Sequence, residues 1–378
     1  SGAYITDSSG TATIPPGDII VGAAAGSLSA STSGATTTTQ LPVRTTGALQ
    51  LGSGAPNIPA VNNSGFVHIA TANGGAVAIK ANGEIWRSTA NARQWTKIGD
   101  GASTDPNQAG FLNYGDGTEA DGVWIKSGAL QFGTGAATIS AADNNGFVGV
   151  TASNGGATAV KANGEVWRTN AITREWIKIG DGASTGPSQS GSLNYGDSTG
   201  ADGVWIKNGA LQFGTGAANI PAANNNDFVR VTAINAGAVA VKANGEVWRT
   251  RTNAREWIKI GDGASTGPSQ NGFLIYGNRT GADGVWIKNG ALQFGTEAAN
   301  ISAFDNKDFV RVAASGGGGV AIKANGEVWR TRQNAPEWTI IGTLGLTEPG
   351  QSGFLNYGGA TGPDGLWIKT SLSCPLPS

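Results

Sequence analysis

Twelve tryptophans fall into three series with one common step, and this constrains the chain more than any other feature. Trp86, Trp167, Trp248 and Trp329 stand 81 residues apart, and Trp95, Trp176, Trp257 and Trp338 follow them at the same interval. Trp124, Trp205, Trp286 and Trp367 complete the set. The sequence around them repeats as well: AVAVKANGEVWRTRTNAREWIKIGDG (238–263) and GVWIKNGALQFG (203–214) recur, with small changes, in the other copies. A repeat of this length matches two propeller blades or two solenoid units, each burying its apolar face against its neighbours.

Residues 46–369 follow the period as four copies, and each copy divides into two unlike halves. In one half FVRV (228–231), AVAVK (238–242), EVWRT (246–250) and EWIKIG (256–261) are short β-branched and aromatic runs between Gly, Asn and Ala, which reads as four strands. Asn82-Gly83, Asn163-Gly164, Asn244-Gly245 and Asn325-Gly326 join the second and third strands. Asn-Gly suits a type I′ hairpin turn, in which both central residues need positive φ. The other half offers SLNYG (192–196), GVWIK (203–207) and ALQFG (210–214), then a weaker fourth run, ANIPA (218–222), with a hairpin at Asn208-Gly209.

Four antiparallel strands in roughly forty residues, repeated eight times, predict an all-β propeller of eight four-stranded blades arranged as four 81-residue double-blade repeats. Rings of seven or nine blades remain compatible with the pattern. The ends suggest how the ring closes. The last copy supplies FLNYG (354–358) and GLWIK (365–369) without a GALQF, and GALQLG (47–52) stands near the start with no Trp-Ile-Lys before it. Each end carries the strands the other lacks.

The string FVRVTAINAGAVAVKANGEVWR followed by EWIKIGDG resembles tectonin-type and RCC1-type propeller repeats, and the resemblance spans 46–369. Its elements are a hairpin with Gly in the turn, a Trp leaving it, and a Trp-x-x-Ile-x-Gly strand. It implies the propeller architecture, with lectin activity on the tectonin side and an interaction platform on the RCC1 side. The chain departs from both families by pairing unlike half-repeats.

Residues 1–45 lack the period and are rich in Ser, Thr, Gly and Ala, too poor in apolar surface to fold alone. They are expected to form a docking or flexible arm, and 370–378 a short tail. DIIVGAAAG (18–26) is the only strand-like run in the arm. SGAYITDSSG has neither the basic start nor the apolar run of a secretory signal, and no later stretch is long and apolar enough to span a bilayer. Net charge is −1 with 13% charged residues and no basic cluster, so neither nucleic acid nor membrane insertion is expected. Cys374 is the only cysteine, which leaves no intrachain disulfide.

Catalysis has little to work with. The single histidine, His68, corresponds to Gly149, Arg230 and Arg311 in the other copies and reads as a surface residue. The carboxylates Glu84 and Asp121 recur in every copy, whereas a glycosidase uses one tuned pair in one cleft. The sialidase motif is absent, because Ile79 and Ala81 stand at its Ser and Asp positions. GDGTEADG (115–122) and its counterparts keep only Asp121, Asp202, Asp283 and Asp364, one carboxylate per loop, which fits an Asx turn better than calcium. No cofactor or metal is expected.

Two sets of residues are candidates for binding. The pairs Trp86-Arg87, Trp167-Arg168, Trp248-Arg249 and Trp329-Arg330 combine a ring able to stack on a sugar with a guanidinium able to donate to its hydroxyls, although inter-blade packing competes for the same rings. The GASTGPSQSG and GASTDPNQAG loops offer polar rim sites, and the fourth copy, GTLGLTEPGQSG, differs most. The expectation is a non-enzymatic binding or attachment protein recognising glycans or another protein surface, as a virion component whose arm docks on other virion proteins. A secreted tectonin-like lectin and a decoration protein without ligand are the alternatives, so the location is virion or extracellular.

Overall fold

The computed structural model describes residues 30–32, 35–37, 45–52, 56–72, 74–89, 94–112, 121–133, 138–153, 156–170, 174–193, 202–214, 219–234, 237–251, 254–275, 284–295, 301–315, 317–332, 335–355 and 365–370. The chain divides into two compact units, 1–45 and 46–378. In the first, Ala30–Thr32 and Ala35–Thr37 pair as a small antiparallel hairpin. DIIVGAAAG lies outside the described residues, as does nearly all of the tail.

Among the described residues the second unit holds eight antiparallel sheets, four of four strands and four of three, in alternation along the chain. The four-stranded sheets begin at Phe66, Phe147, Phe228 and Phe309, which reproduces the sequence period. The one starting at Phe228 runs through Phe228–Ile234, Gly237–Lys242, Val247–Arg251 and Ala254–Gly261, each strand pairing with the next. The three-stranded sheet before it contains Ser190–Leu193, Asp202–Lys207 and Ala210–Phe213. Among the described residues no helix is long and apolar enough to cross a membrane.

Among the described residues these smaller sheets have three strands and not the expected four, which corrects the picture of eight four-stranded blades. Within ANIPA, Asn219 instead forms one parallel bridge to Glu256, on the outer strand of the following sheet. Pro221 has no N–H to donate and precedes a 3-10 turn at Ala222–Asn224, so the run cannot extend a ladder. A side chain occupies the edge that a fourth strand would have covered. Asn225 accepts from the Leu211 amide at 2.8 Å and donates to the Leu211 carbonyl at 3.1 Å. Asn63, Asn144 and Asn306 do the same for Leu49, Leu130 and Leu292. Each amide imitates one residue of a pairing strand and blunts the edge.

Hairpin geometry differs from expectation at one of its two sites. Asn208-Gly209 and Asn289-Gly290 have positive φ at both residues, as a type I′ turn requires. Asn82, Asn163, Asn244 and Asn325 do not, although the glycines after them do. At 242–246 the Gly245 amide donates to the Lys242 carbonyl and the Lys242 amide to the Glu246 carbonyl. This is the three-residue loop ending in a left-handed glycine. The Asn244 side chain is used locally, accepting from the Glu246 amide at 3.0 Å.

Buried side chains form eight apolar clusters, one between each pair of successive sheets. Eight sheets in an open row would have seven interfaces. The eighth packs Leu49, Leu51, Leu366 and Ile368 against Phe66, Ile69, Trp86 and Trp95, joining the last sheet to the first. The last sheet itself draws on both ends of the unit, with Ala48–Leu51 pairing Leu366–Lys369 in the register Ala48↔Lys369 to Leu51↔Leu366. This succession of sheets is a β-propeller.

The interface between Phe147–Gly180 and Ser190–Phe213 is the least apolar. Its cluster contains only Val160, Val166, Ala183 and Trp205, with Ile179 beside it. Ser192 is buried where Phe111, Phe273 and Phe354 stand in the other copies, and Thr158 is buried where the others have Val77, Val239 and Val320. The Phe273 and Phe354 rings rest on Gly237 and Gly318, and the second copy keeps Gly156 at that position. Ser192→Phe is therefore expected to stabilise the protein by roughly 1–3 kcal/mol, read from chemical denaturation, provided the ring seats over Gly156. Unchanged or lower stability would show that this interface has repacked around the serine.

Candidate functional site

The two members of each Trp-Arg pair face opposite sides of their sheet. Neighbouring residues on a strand point to opposite faces of the sheet, and the packing follows that rule. Trp86 pairs across to Ala78 and lies in the cluster facing the previous sheet, whereas Arg87 pairs to Val77, in the cluster facing the next. Trp248 with Ala240 and Arg249 with Val239 repeat the division, as do Trp329 with Ala321 and Arg330 with Val320. Trp167 lies with Ala159, and Arg168 pairs to Thr158 on the other face.

The four first-series indoles are 7–9% exposed, Arg168 and Arg249 are buried, and Arg87 and Arg330 are half-buried. Burial pushes the Arg249 and Arg330 guanidinium pKa values down. The rings are also covered: Lys80 Nζ lies 5.1 Å from the centroids of both Phe66 and Trp86, and Lys161, Lys242 and Lys323 repeat the contact. The first-series indoles are thus used in packing.

Glutamates complete these structural boxes. Glu84 accepts from Trp86 Nε1 at 3.2 Å and from Lys97 Nζ at 2.9 Å, and Lys80 lies 3.7 Å away. Hydrogen bonds from Lys97, Lys178 and Lys259 chiefly hold the pKa values of Glu84, Glu165 and Glu246 below 4.5. In the fourth copy Ile340 replaces the outer lysine, and the Trp329 hydrogen bond leads for Glu327. A carboxylate whose folded pKa is depressed contributes stability above its unfolded pKa and loses it as pH falls through the folded value. The melting temperature is therefore expected to fall with acidification below about pH 4.5, and replacing all four glutamates by Gln should flatten that fall. An equally steep fall in the Gln variant would place the acid sensitivity elsewhere.

The loops between the two kinds of sheet form a different arrangement, which becomes the candidate site. They are STDPNQ (103–108), STGPSQ (184–189), STGPSQ (265–270) and LTEPGQ (346–351). Asn107, Ser188, Ser269 and Gly350 all have positive φ. Their carbonyls accept from the amides of Val150, Val231, Val312 and Ile69, clamping each loop to the first strand of the next four-stranded sheet. Each first strand carries a bulge beside the clamp, at Phe66/His68, Phe147/Gly149, Phe228/Arg230 and Phe309/Arg311. A bulge re-aims the side chain next to it.

Arg230 and Gly149 sit where two loops meet over a first strand, and His68 and Arg311 hold the same sequence position in their copies. Arg230 Nε donates to the Thr266 carbonyl at 2.9 Å and Nη1 to the Pro187 carbonyl at 2.8 Å, tying one loop to the other. His68 is 4% exposed and not a surface residue as the sequence suggested. Its ring occupies the space a side chain at 350 would need, so Gly350 serves both the left-handed backbone and the imidazole. At Gly149 a cavity of about 170 Å³ opens between loops 103–108 and 184–189.

Sequence alone singled out these loops and aligned the four positions, but nothing in it showed that bulge and loop converge. The side chains of Asp121, Asp202, Asp283 and Asp364, and hence the Asx-turn reading, lie outside the described residues. Among the described residues no group of three His, Cys, Asp or Glu side chains is placed to hold a metal.

No protein-family model matches the chain, and no curated protein matches it either. Among solved structures it is similar to Prp20p from Saccharomyces cerevisiae at 10% identity and a TM-score of 0.48, over 88% of this chain and 93% of that one. It is similar to the computationally designed Ika8 protein at 12% identity and a TM-score of 0.48, over 80% and 96%. Human WBSCR16 matches at 10% identity and a TM-score of 0.44, over 81% and 87%. The propeller assignment stands on the strand pairing and the eight interfaces themselves.

Proposed function

We propose that this chain is a non-enzymatic binding and attachment protein, a component of a virus-particle surface or tail, that engages another protein surface through the repeated loops on its ring. The observation that carries the reading is the division of each repeat into a constant frame and a varied rim. Tryptophans, packing glycines and hairpin turns recur in all four copies, whereas 103–108 and 346–351 each carry a carboxylate that the identical 184–189 and 265–270 lack, and His68, Gly149, Arg230 and Arg311 differ in kind. Variable side chains presented by loops and neighbouring strand positions on a rigid scaffold are how recognition surfaces are built. Several weak contacts on one ring also reinforce one another. Protein is favoured over glycan because the indoles suited to stacking on sugar are used in packing. The location on a particle rests on the Ser/Thr/Gly-rich segment 1–45, which is suited to docking, and on the low charge.

The test uses the whole labelled chain, imaged on particles and applied to target cells and to a glycan array. Thr185→Glu with Thr266→Glu places charge on two exposed rim positions and is expected to lower retention on cells at least tenfold, with melting unchanged. Removing residues 1–40 should leave a folded ring that no longer docks on the particle. Glycan-array binding insensitive to the rim pair would favour the lectin alternative. Particle docking without retention on cells or glycans would favour pure decoration.

A further inference from the structure

The cavity at Gly149 is informative because the chain itself shows, one repeat later, what fits there. At Arg230 a guanidinium lies between two loops and donates to the carbonyls of Thr266 and Pro187. The residues 81 positions earlier are Gly149, Thr185 and Pro106, and all three line the cavity. The residues whose carbonyls serve as acceptors beside Arg230 are thus kept in equivalent form in the second copy, while the side chain that engages them is not. In the fourth copy Arg311 stands at the equivalent sequence position, where Nη1 donates instead to the carbonyl of the neighbouring Val310 at 2.8 Å.

Three further features suit the cavity to a cation capped by a planar group. Asp105 lines it on the side of the preceding loop, where the third copy has Gly186, so negative charge is present here and absent beside Arg230. The Thr151 hydroxyl oxygen is buried without a hydrogen-bond partner on the same lining. The volume of about 170 Å³ is also adequate, since a cavity of about 150 Å³ holds a benzene molecule.

We propose that the cavity at Gly149 binds a guanidinium group supplied from outside the chain, seated between the carbonyls of Pro106 and Thr185 with Asp105 supplying opposite charge. A guanidinium fits better than an ammonium because its planar fork donates in fixed directions to acceptors on opposite walls. The site deepens the attachment reading by naming the chemistry of one anchor, an arginine side chain on the bound protein, though a free guanidinium compound presents the same group.

The experiment titrates the full chain with agmatine and with N-acetyl-arginine amide by calorimetry, using butylamine and N-acetyl-citrulline amide as controls. One site per chain is expected, with both controls at least tenfold weaker. Gly149→Arg inserts the side chain that position 230 already carries, so it should abolish binding and leave the melting temperature unchanged. Asp105→Asn leaves the cavity open and should weaken binding several-fold.

A peptide arginine that binds tenfold more tightly than agmatine identifies a protein side chain as the source, and equal affinities identify a free compound. Binding that survives Gly149→Arg in a folded protein, citrulline binding equal to arginine binding, or no binding of either guanidinium compound in the millimolar range overturns the assignment. Retention on cells is measured on the same Gly149→Arg protein. Lost guanidinium binding with full retention would confine the failure to this anchor's role and leave the attachment reading standing.

Discussion

Deleting residues 353–378 is expected to lower the melting temperature of the whole ring in one cooperative transition. The deletion removes Leu366–Lys369, the middle strand of the last sheet, which pairs with Ser352–Gly353 on one side and Ala48–Leu51 on the other. Leu366, Trp367 and Ile368 are 0–2% exposed, so their loss alone forfeits on the order of 5–9 kcal/mol of burial. That approaches the total stability of a typical domain, about 5–15 kcal/mol. Ala48–Leu51 would also lose its partner strand, and Trp86 and Trp95 would lose their cover at the interface between last and first sheets. In a ring every sheet is supported on both sides, so the damage spreads to neighbours. Thermal unfolding followed by far-ultraviolet circular dichroism checks this, and a truncated protein that melts with the parent would mean these strands do not close the ring.

Strand positions and the joining of the two ends were legible because they rest on short-range pattern: β-branched runs, Asn-Gly pairs, and complementary half-repeats at either end. What the sequence did not show depends on direction or distance. The Trp-Arg pairs looked like sites because they are adjacent, yet adjacency on a strand sends Trp248 and Arg249 to opposite faces, as the two-residue period already implied. ANIPA looked like a strand by composition, but its edge had been taken by Asn225, fourteen residues beyond Leu211, and a side-chain amide replacing a strand leaves no run to detect. Asn244-Gly245 suggested a two-residue turn, and the extra residue follows from Ala243 lying inside the loop closed between Lys242 and Glu246. His68 read as exposed because Gly149, Arg230 and Arg311 are tolerated at its position. The bulge that turns it beneath the 346–351 loop is a register shift, with no residue signature of its own.

The glycine facing each third-series tryptophan offers the sharpest test of the packing. Replacing Gly by Ala in extended backbone usually stabilises a protein by about 0.4–1 kcal/mol, because the unfolded chain loses freedom. Gly261 is outside the left-handed region, so backbone strain does not oppose Ala there. A Cβ at this position would nevertheless collide with the six-membered ring of Trp286, which is 3% exposed and donates from Nε1 to the Asp262 carbonyl at 3.3 Å. Gly261→Ala is therefore expected to destabilise by about 1–3 kcal/mol, the ordinary cost of overpacking. Trp286→Ala should cost about 3–5 kcal/mol through lost burial and the cavity left behind. The double variant should cost no more than Trp286→Ala alone, since the added methyl then enters the space the indole vacated. Their coupling energy should thus equal nearly the whole effect of Gly261→Ala. Chemical denaturation of the four proteins closes the cycle. Additive losses would mean that Gly261 matters for the backbone alone, and a stabilising Gly261→Ala would mean that the indole does not rest on this glycine.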